Sequence, residues 1–221
     1  MTGSAEVGAV VATAAMGTSA LLTQWGVSRL PEPADGAGKV RYADLVSPGF
    51  VAGSALTGGA AVVVSWLTLP VAVQPLWWVL ATLGVVLAAV DARTTWLPLR
   101  LTQLAWAAMA AAGLVTLALG AGWPTLLRAG VGAAVAGLLY LLVWRLSGGG
   151  FGFGDVRFAP LVGAATAAQS WSLLVLGLFA GSVLGAAYGG IRLLRRRAGP
   201  FPYAPAMLAG AYLACGAVAT G

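Results

Sequence analysis

The chain has 221 residues, of which 60% are hydrophobic and only 8% charged, with a formal net charge of +6. A soluble domain carries about a quarter charged side chains, so water is not the main solvent here, in line with a mean hydropathy of +0.91. Histidine is absent and Cys215 is the single cysteine, which removes the commonest general base, the commonest metal ligand and any intramolecular disulfide.

Apolar stretches of roughly 20 residues, each long enough to cross about 30 Å of hydrocarbon as a helix, recur along the whole sequence. They predict an all-α polytopic transmembrane bundle with spans near 7–27, 50–70, 75–91, 99–120, 124–145, 151–168, 170–191 and 203–220. The first has no basic residue before it and reads as a retained span rather than a signal peptide. Ser28 to Gly49 is a short polar loop, too small for a folded domain. The whole chain, 1–221, is therefore one transmembrane domain, with Leu69 to Pro75 and Gly120 to Pro124 as tight turns. Small-residue strings, Gly132 to Gly137 and Gly181 to Gly185, read as helix-packing surfaces.

Basic residues gather in cytoplasmic loops. With the N-terminus outside, Arg29, Lys39, Arg41, Arg93, Arg100, Arg145, Arg157, Arg192, Arg195, Arg196 and Arg197 all fall on the inner side, and only Arg128 lies in the outer half. The positive charge is thus explained by topology in a lipid bilayer, and nucleic acid is not expected as a partner. Segment 151–168 is the weakest span, since Gly149, Gly150, Gly152 and Gly154 precede only a short apolar run, and it has a re-entrant alternative. Removing it would put Arg145 and Arg195 on opposite faces, so it is read as crossing, with Asp155 about one helical turn inside the membrane.

After Asp44 only two carboxylates remain, Asp91 and Asp155, and both lie where a predicted span meets the cytoplasm. An acid at membrane depth costs on the order of 3 kcal/mol, which makes it a functional candidate. Taken singly, each is also explained as an interfacial pair with Arg93 or Arg157. Two carboxylates facing one water divide the work: repulsion leaves one ionised to act as base while the other keeps a proton and acts as acid. That is the apparatus of an aspartic protease. No histidine exists for a serine triad, and the only lysine, Lys39, is far along the chain from any nucleophile. A proton-coupled transporter using the same aspartates is the alternative from another class, and an inactive scaffold is a third.

Around the second acid the chain reads Gly148-Gly-Gly-Phe-Gly-Phe-Gly-Asp155-Val-Arg157-Phe, and glycine at this density lets an extended chain approach the backbone closely. Gly152-Phe153-Gly154-Asp155 resembles the GxGD motif of membrane aspartic proteases, and three segments together resemble the type IV prepilin peptidases. Asp91-Ala-Arg-Thr-Thr-Trp-Leu97-Pro98 is similar to that family's first active-site segment. Gly154-Asp155-Val-Arg157 is similar to the second, with arginine where lysine usually stands. Gly199-Pro-Phe-Pro-Tyr-Ala-Pro205 is similar to the entry into the family's last helix, although Pro202-Tyr203-Ala204 departs from its pattern.

The resemblance covers about Phe50 to the C-terminus, and residues 50–221 form the expected catalytic core. It implies an aspartic endopeptidase of the inner membrane that cleaves the basic leader of prepilin or pseudopilin precursors at the cytoplasmic face, ahead of their hydrophobic helix. Asp91 and Asp155 are the implied catalytic pair, with Gly152, Phe153, Gly154, Pro98 and Arg157 beside the substrate. No cofactor and no metal is implied. Many members carry a CxxC-bearing cytoplasmic domain and also N-methylate the new terminus. The 28–49 loop holds no cysteine, so neither that activity nor S-adenosylmethionine is carried over.

Overall fold

In hydrocarbon every backbone N–H and C=O must find its partner within the segment or across a closed barrel. The computed structural model answers with helices alone and no strand among the described residues, which are 2–31, 40–148, 152–196, 199 and 201–219. Glu32, Asp35 and Lys39 of the first loop, Gly149, Gly150 and Phe151 before the second acid, Arg197 and Pro200 lie outside them.

The long helix α1 (Thr2–Leu21) continues through a π turn and a 3-10 turn to Arg29. After the one-turn α2 (Tyr42–Leu45), α3 (Pro48–Thr68) begins at Ser47, whose hydroxyl accepts the Phe50 N–H at 3.3 Å with proline next in line, a standard helix start. Helix α4 (Gln74–Val79) runs through a π turn into α5 (Val85–Thr94), and α6 (Leu99–Thr116) ends at a wide turn. There Gly120 and Gly122 have φ of 87° and 77°, a region that glycine enters without steric cost. Helices α7 (Trp123–Leu146), α8 (Phe153–Gln169), α9 (Trp171–Leu194) and α10 (Ala204–Ala219) complete the bundle.

Helical segments therefore occur at all eight expected positions, but among the described residues six are long and apolar enough to cross a membrane. The other two, α8 and α10, have 17 and 16 residues. Their shortness goes with their surroundings. Every residue of α8 from Leu161 to Ala168 is buried, so α8 is solvated by protein rather than lipid. The Val71–Thr94 segment is likewise 72% buried, against 17 to 39% for the other long segments. The two most enclosed helical segments are the two that carry Asp91 and Asp155.

Close packing of α8 against α7 depends on missing side chains. A Cβ at Gly163 would overlap the Gly132 carbonyl, and one at Gly132 would overlap the Ala167 methyl. The small-residue string on α7 is thus a backbone-to-backbone contact. It holds α8 in the middle of the bundle with dispersion contacts that a larger residue would abolish. Cys215 is fully buried among apolar neighbours.

Candidate active site

Asp91 lies one turn before the end of α5, and the local sequence explains why the helix stops there. Thr95 takes the left-handed conformation (φ 57°, ψ 27°) and its N–H returns to the Asp91 carbonyl at 2.7 Å. The Thr94 hydroxyl donates to the Val90 carbonyl at 2.9 Å and accepts the Trp96 N–H at 3.2 Å. The turn leads through Leu97 to Pro98, which is buried in front of α6 and whose carbonyl accepts from the Thr102 N–H at 3.0 Å and the Thr102 hydroxyl at 2.9 Å.

Asp155 lies in the first turn of α8, where unpaired backbone N–H groups and the helix dipole favour a negative charge. The glycines before it make room. A Cβ on Gly154 would stand 3.0 Å from Leu97 Cβ, and one on Gly152 would stand 3.0 Å from Asp155 Oδ2. Gly154 therefore lets the turn after Asp91 close onto the start of α8, and Gly152 leaves the second carboxylate its position.

The two acids are 4% and 6% exposed, and their charges act on each other. A third segment joins them. The Ala204 N–H, at the start of α10, donates to Asp91 Oδ2 at 3.1 Å and also interacts with Asp155. Asp155 Oδ1 is buried with no hydrogen-bond partner among the described residues. The arrangement is two carboxylates from different helices, one amide between them and one acceptor oxygen left over.

Of the residues singled out in the sequence, Asp91, Pro98, Gly152, Gly154 and Asp155 meet at this end of the bundle. Phe153 and Arg157 stand beside it. The Phe153 ring meets Trp144 edge-on at 5.0 Å between centroids, and the Arg157 guanidinium carbon lies 4.7 Å from the Phe153 centroid. Trp106 Nε1 donates to the Arg157 carbonyl at 3.0 Å, tying α6 to α8. Arg157 is thus engaged with an aromatic ring instead of forming the interfacial ion pair considered for Asp155.

Four residues, three of them inside the segments that carry the resemblance, have roles that the sequence pattern does not announce. The Ala204 amide is backbone and has no side-chain signature. Leu97 acts by contact with a glycine. Tyr203 and Tyr140 have hydroxyls 3.4 Å apart and both are buried, a cross-link between α7 and the entry of α10 that lies exactly where the third segment departs from the expected pattern. No group of three or more Cys, Asp or Glu side chains that could hold a metal gathers among the described residues.

A bundle of membrane-length apolar helices with a buried carboxylate pair at one end has the make-up of a multi-pass membrane protein. The chain belongs to the type IV leader peptidase family, whose sequence model matches residues 78–190 and so includes both aspartates. Searches of curated proteins and of solved structures return no match.

Proposed function

We propose that the protein is an aspartic endopeptidase that cleaves the basic leader from type IV pilin-like precursors at the cytoplasmic face of the inner membrane. The observation that carries this reading is the convergence of Asp91 and Asp155, from two enclosed helices, on the Ala204 amide. Repulsion between two adjacent carboxylates favours one shared proton. The ionised partner removes a proton from water, whose oxygen bonds to the scissile carbonyl carbon while the protonated partner hydrogen-bonds the developing oxyanion. The acid's proton then goes to the leaving nitrogen as the C–N bond breaks, giving a leader carboxylate and a new amino terminus. Asp155 Oδ1, without a hydrogen-bond partner among the described residues, is an acceptor available to that water.

Gly152, Phe153 and Gly154 form one lip of the approach, Pro98 the other, and Arg157 steadies Phe153. In the proposed topology all eight helical segments cross, the N-terminus is outside and the aspartate end faces the cytoplasm, as the basic residues require. The test is processing of a pilin-type precursor by the purified protein. Asp91→Asn and Asp155→Asn should each reduce cleavage by at least roughly a thousandfold, the scale of losing an acid–base group. Full activity in both variants would exclude the mechanism. Proton-dependent flux without proteolysis would instead favour the transporter alternative.

A further inference from the structure

Beside the aspartates an open groove of about 520 Å³ runs between α3, α5 and α10. Its walls are mostly apolar, with Gly53, Ala60, Ala88, Ala89 and Ala209 among the small lining residues and Phe50, Leu208 and Tyr212 among the large ones. The lining residues on α3 extend from Gly49 to Val64, which at 1.5 Å per residue is roughly 22 Å, about four turns. A trough of this length, with Gly and Ala along part of it, has room for an apolar helix to lie along it inside a membrane.

Two further observations say what belongs in it. The groove reaches the same end of the bundle as the candidate active site: Ala92 and Arg93, which directly follow Asp91, and Pro205, which directly follows Ala204, line it, while the aspartates themselves do not. A second apolar hollow of about 770 Å³, between α6 and α7, lacks this adjacency: its nearest lining residue on α8 is Pro160. Moreover, Ser54, which lines the first groove, is 3% exposed, and its hydroxyl oxygen has no hydrogen-bond partner among the described residues. A buried hydroxyl without a partner costs about 1–3 kcal/mol, and most Ser and Thr hydroxyls in these helices avoid that by bonding a carbonyl one turn back, as Thr82 and Thr166 do.

We infer that this groove seats the apolar helix of the substrate that follows the scissile bond, with Ser54 accepting one of the N–H groups left unpaired at that helix's N-terminus. The inference rests on the peptidase reading and deepens it. A scissile bond that reaches carboxylates buried one turn inside the bundle must be flanked on one side by a segment that tolerates membrane depth. That segment begins with unpaired N–H donors, and Ser54 lies about one turn along α3 from Phe50, whose ring is 6.0 Å from the Arg93 guanidinium carbon at the mouth of the groove. Binding energy collected along the helix is thereby delivered at the reacting peptide.

The test uses the full-length enzyme in lipid nanodiscs with two substrates, an intact pilin-type precursor and a leader peptide truncated before its apolar segment. A Cβ at Gly53 meets nothing within 4 Å, so the side chain of Gly53→Leu starts into open space at a residue that lines the groove. Gly53→Leu and Ala209→Leu should each lower the ratio of kcat/KM for precursor over truncated peptide by roughly tenfold, the scale of overfilling an apolar site. Val175→Leu, on the exposed face of α9, should not change that ratio. A cysteine at position 209 should form a disulfide with a cysteine placed in the precursor's apolar segment, and buried Cys215 does not compete. An unchanged ratio in both groove variants, or cross-linking only between two enzyme copies, would overturn the inference. Failure of the wild-type protein to cleave either substrate would instead overturn the peptidase reading.

Discussion

The Ala204 N–H donates to Asp91 Oδ2 at 3.1 Å, across 113 residues of sequence. This bond fixes the start of α10 to the end of α5 and gives one carboxylate a backbone partner. A hydrogen bond to a charged group is worth about 1.5–3 kcal/mol, enough to orient Asp91 toward Asp155.

Removing that donor alone is feasible because Ala204 is the first residue of α10, a position where proline is tolerated. Ala204→Pro is expected to lower kcat/KM for precursor cleavage by roughly tenfold to a hundredfold, which is 1.5–3 kcal/mol expressed as a rate. Ala204→Gly, which keeps the N–H, should stay within about threefold. Equal losses in the two variants would assign the effect to packing at this fully buried position.

Asp155 is held against a cost. Its carboxylate is buried, its Oδ1 has no hydrogen-bond partner among the described residues and a second carboxylate acts on it. Neutralising such a group relieves both burial of charge and repulsion. Asp155→Asn is therefore expected to unfold in detergent at the same temperature as the parent or a few degrees higher, corresponding to roughly 1 kcal/mol, while cleavage is lost. A marked fall in unfolding temperature would mean that the carboxylate is there for structure.

Gly154 and Leu97 make a pair that a double-mutant cycle can resolve. A Cβ at 154 stands 3.0 Å from Leu97 Cβ, so Gly154→Ala must push the Leu97–Pro98 turn away from α8, at a cost of about 1–3 kcal/mol for overpacking. Leu97→Gly removes all three atoms that this Cβ would meet, Leu97 Cβ, Cδ1 and Cγ. The double variant should recover at least about 1 kcal/mol of the Gly154→Ala loss, read as cleavage rate. Strict additivity would show that the two segments are not coupled through this contact.

Much of this arrangement is legible in the sequence, for physical reasons that differ from part to part. Helix positions follow from apolar runs of membrane length, and the Gly120 to Pro124 punctuation after α6 forms the observed turn, whereas the left-handed Thr95 that ends α5 is not announced by any glycine or proline. Asp91 and Asp155 stand out because charge is rare in such a chain. The shortness of α8 and α10 is less legible, since hydropathy reports what a segment tolerates and not whether protein or lipid surrounds it. The Ala204 amide leaves no trace in side-chain pattern at all, and the contact of Leu97 with Gly154 joins residues 57 apart that only the folded bundle brings together.

Two glycines on α7 separate packing from propensity. A Cβ at Gly132 would overlap Ala167, whereas one at Gly130 meets nothing within 4 Å. Gly132→Ala should destabilise the protein by roughly 1–3 kcal/mol, and Gly130→Ala should be neutral or stabilising by up to about 1 kcal/mol through helix propensity. Thermal unfolding in one detergent checks both. Similar shifts for the two would deny that α7 and α8 meet through their backbones.

The crossing of α8 decides whether the proposed topology holds, because its 17 residues are near the lower limit for a span. Ser147, after α7, and Gln169, at the end of α8, lie on opposite sides of the membrane only if α8 crosses it. Single cysteines at these positions should react with a membrane-impermeant maleimide from opposite faces, Ser147→Cys from the cytoplasm and Gln169→Cys from outside. The native Cys215 is buried and stays silent. The basic residues demand this outcome: Arg145 and Arg157 flank the α7–α8 connection, while Arg128 donates to the Ala168 carbonyl at 3.1 Å at the far end of both helices. Labelling of both positions from one face would make α8 re-entrant. It would then separate Arg192 and Arg195, at the end of α9, from the side of the membrane on which the aspartates sit.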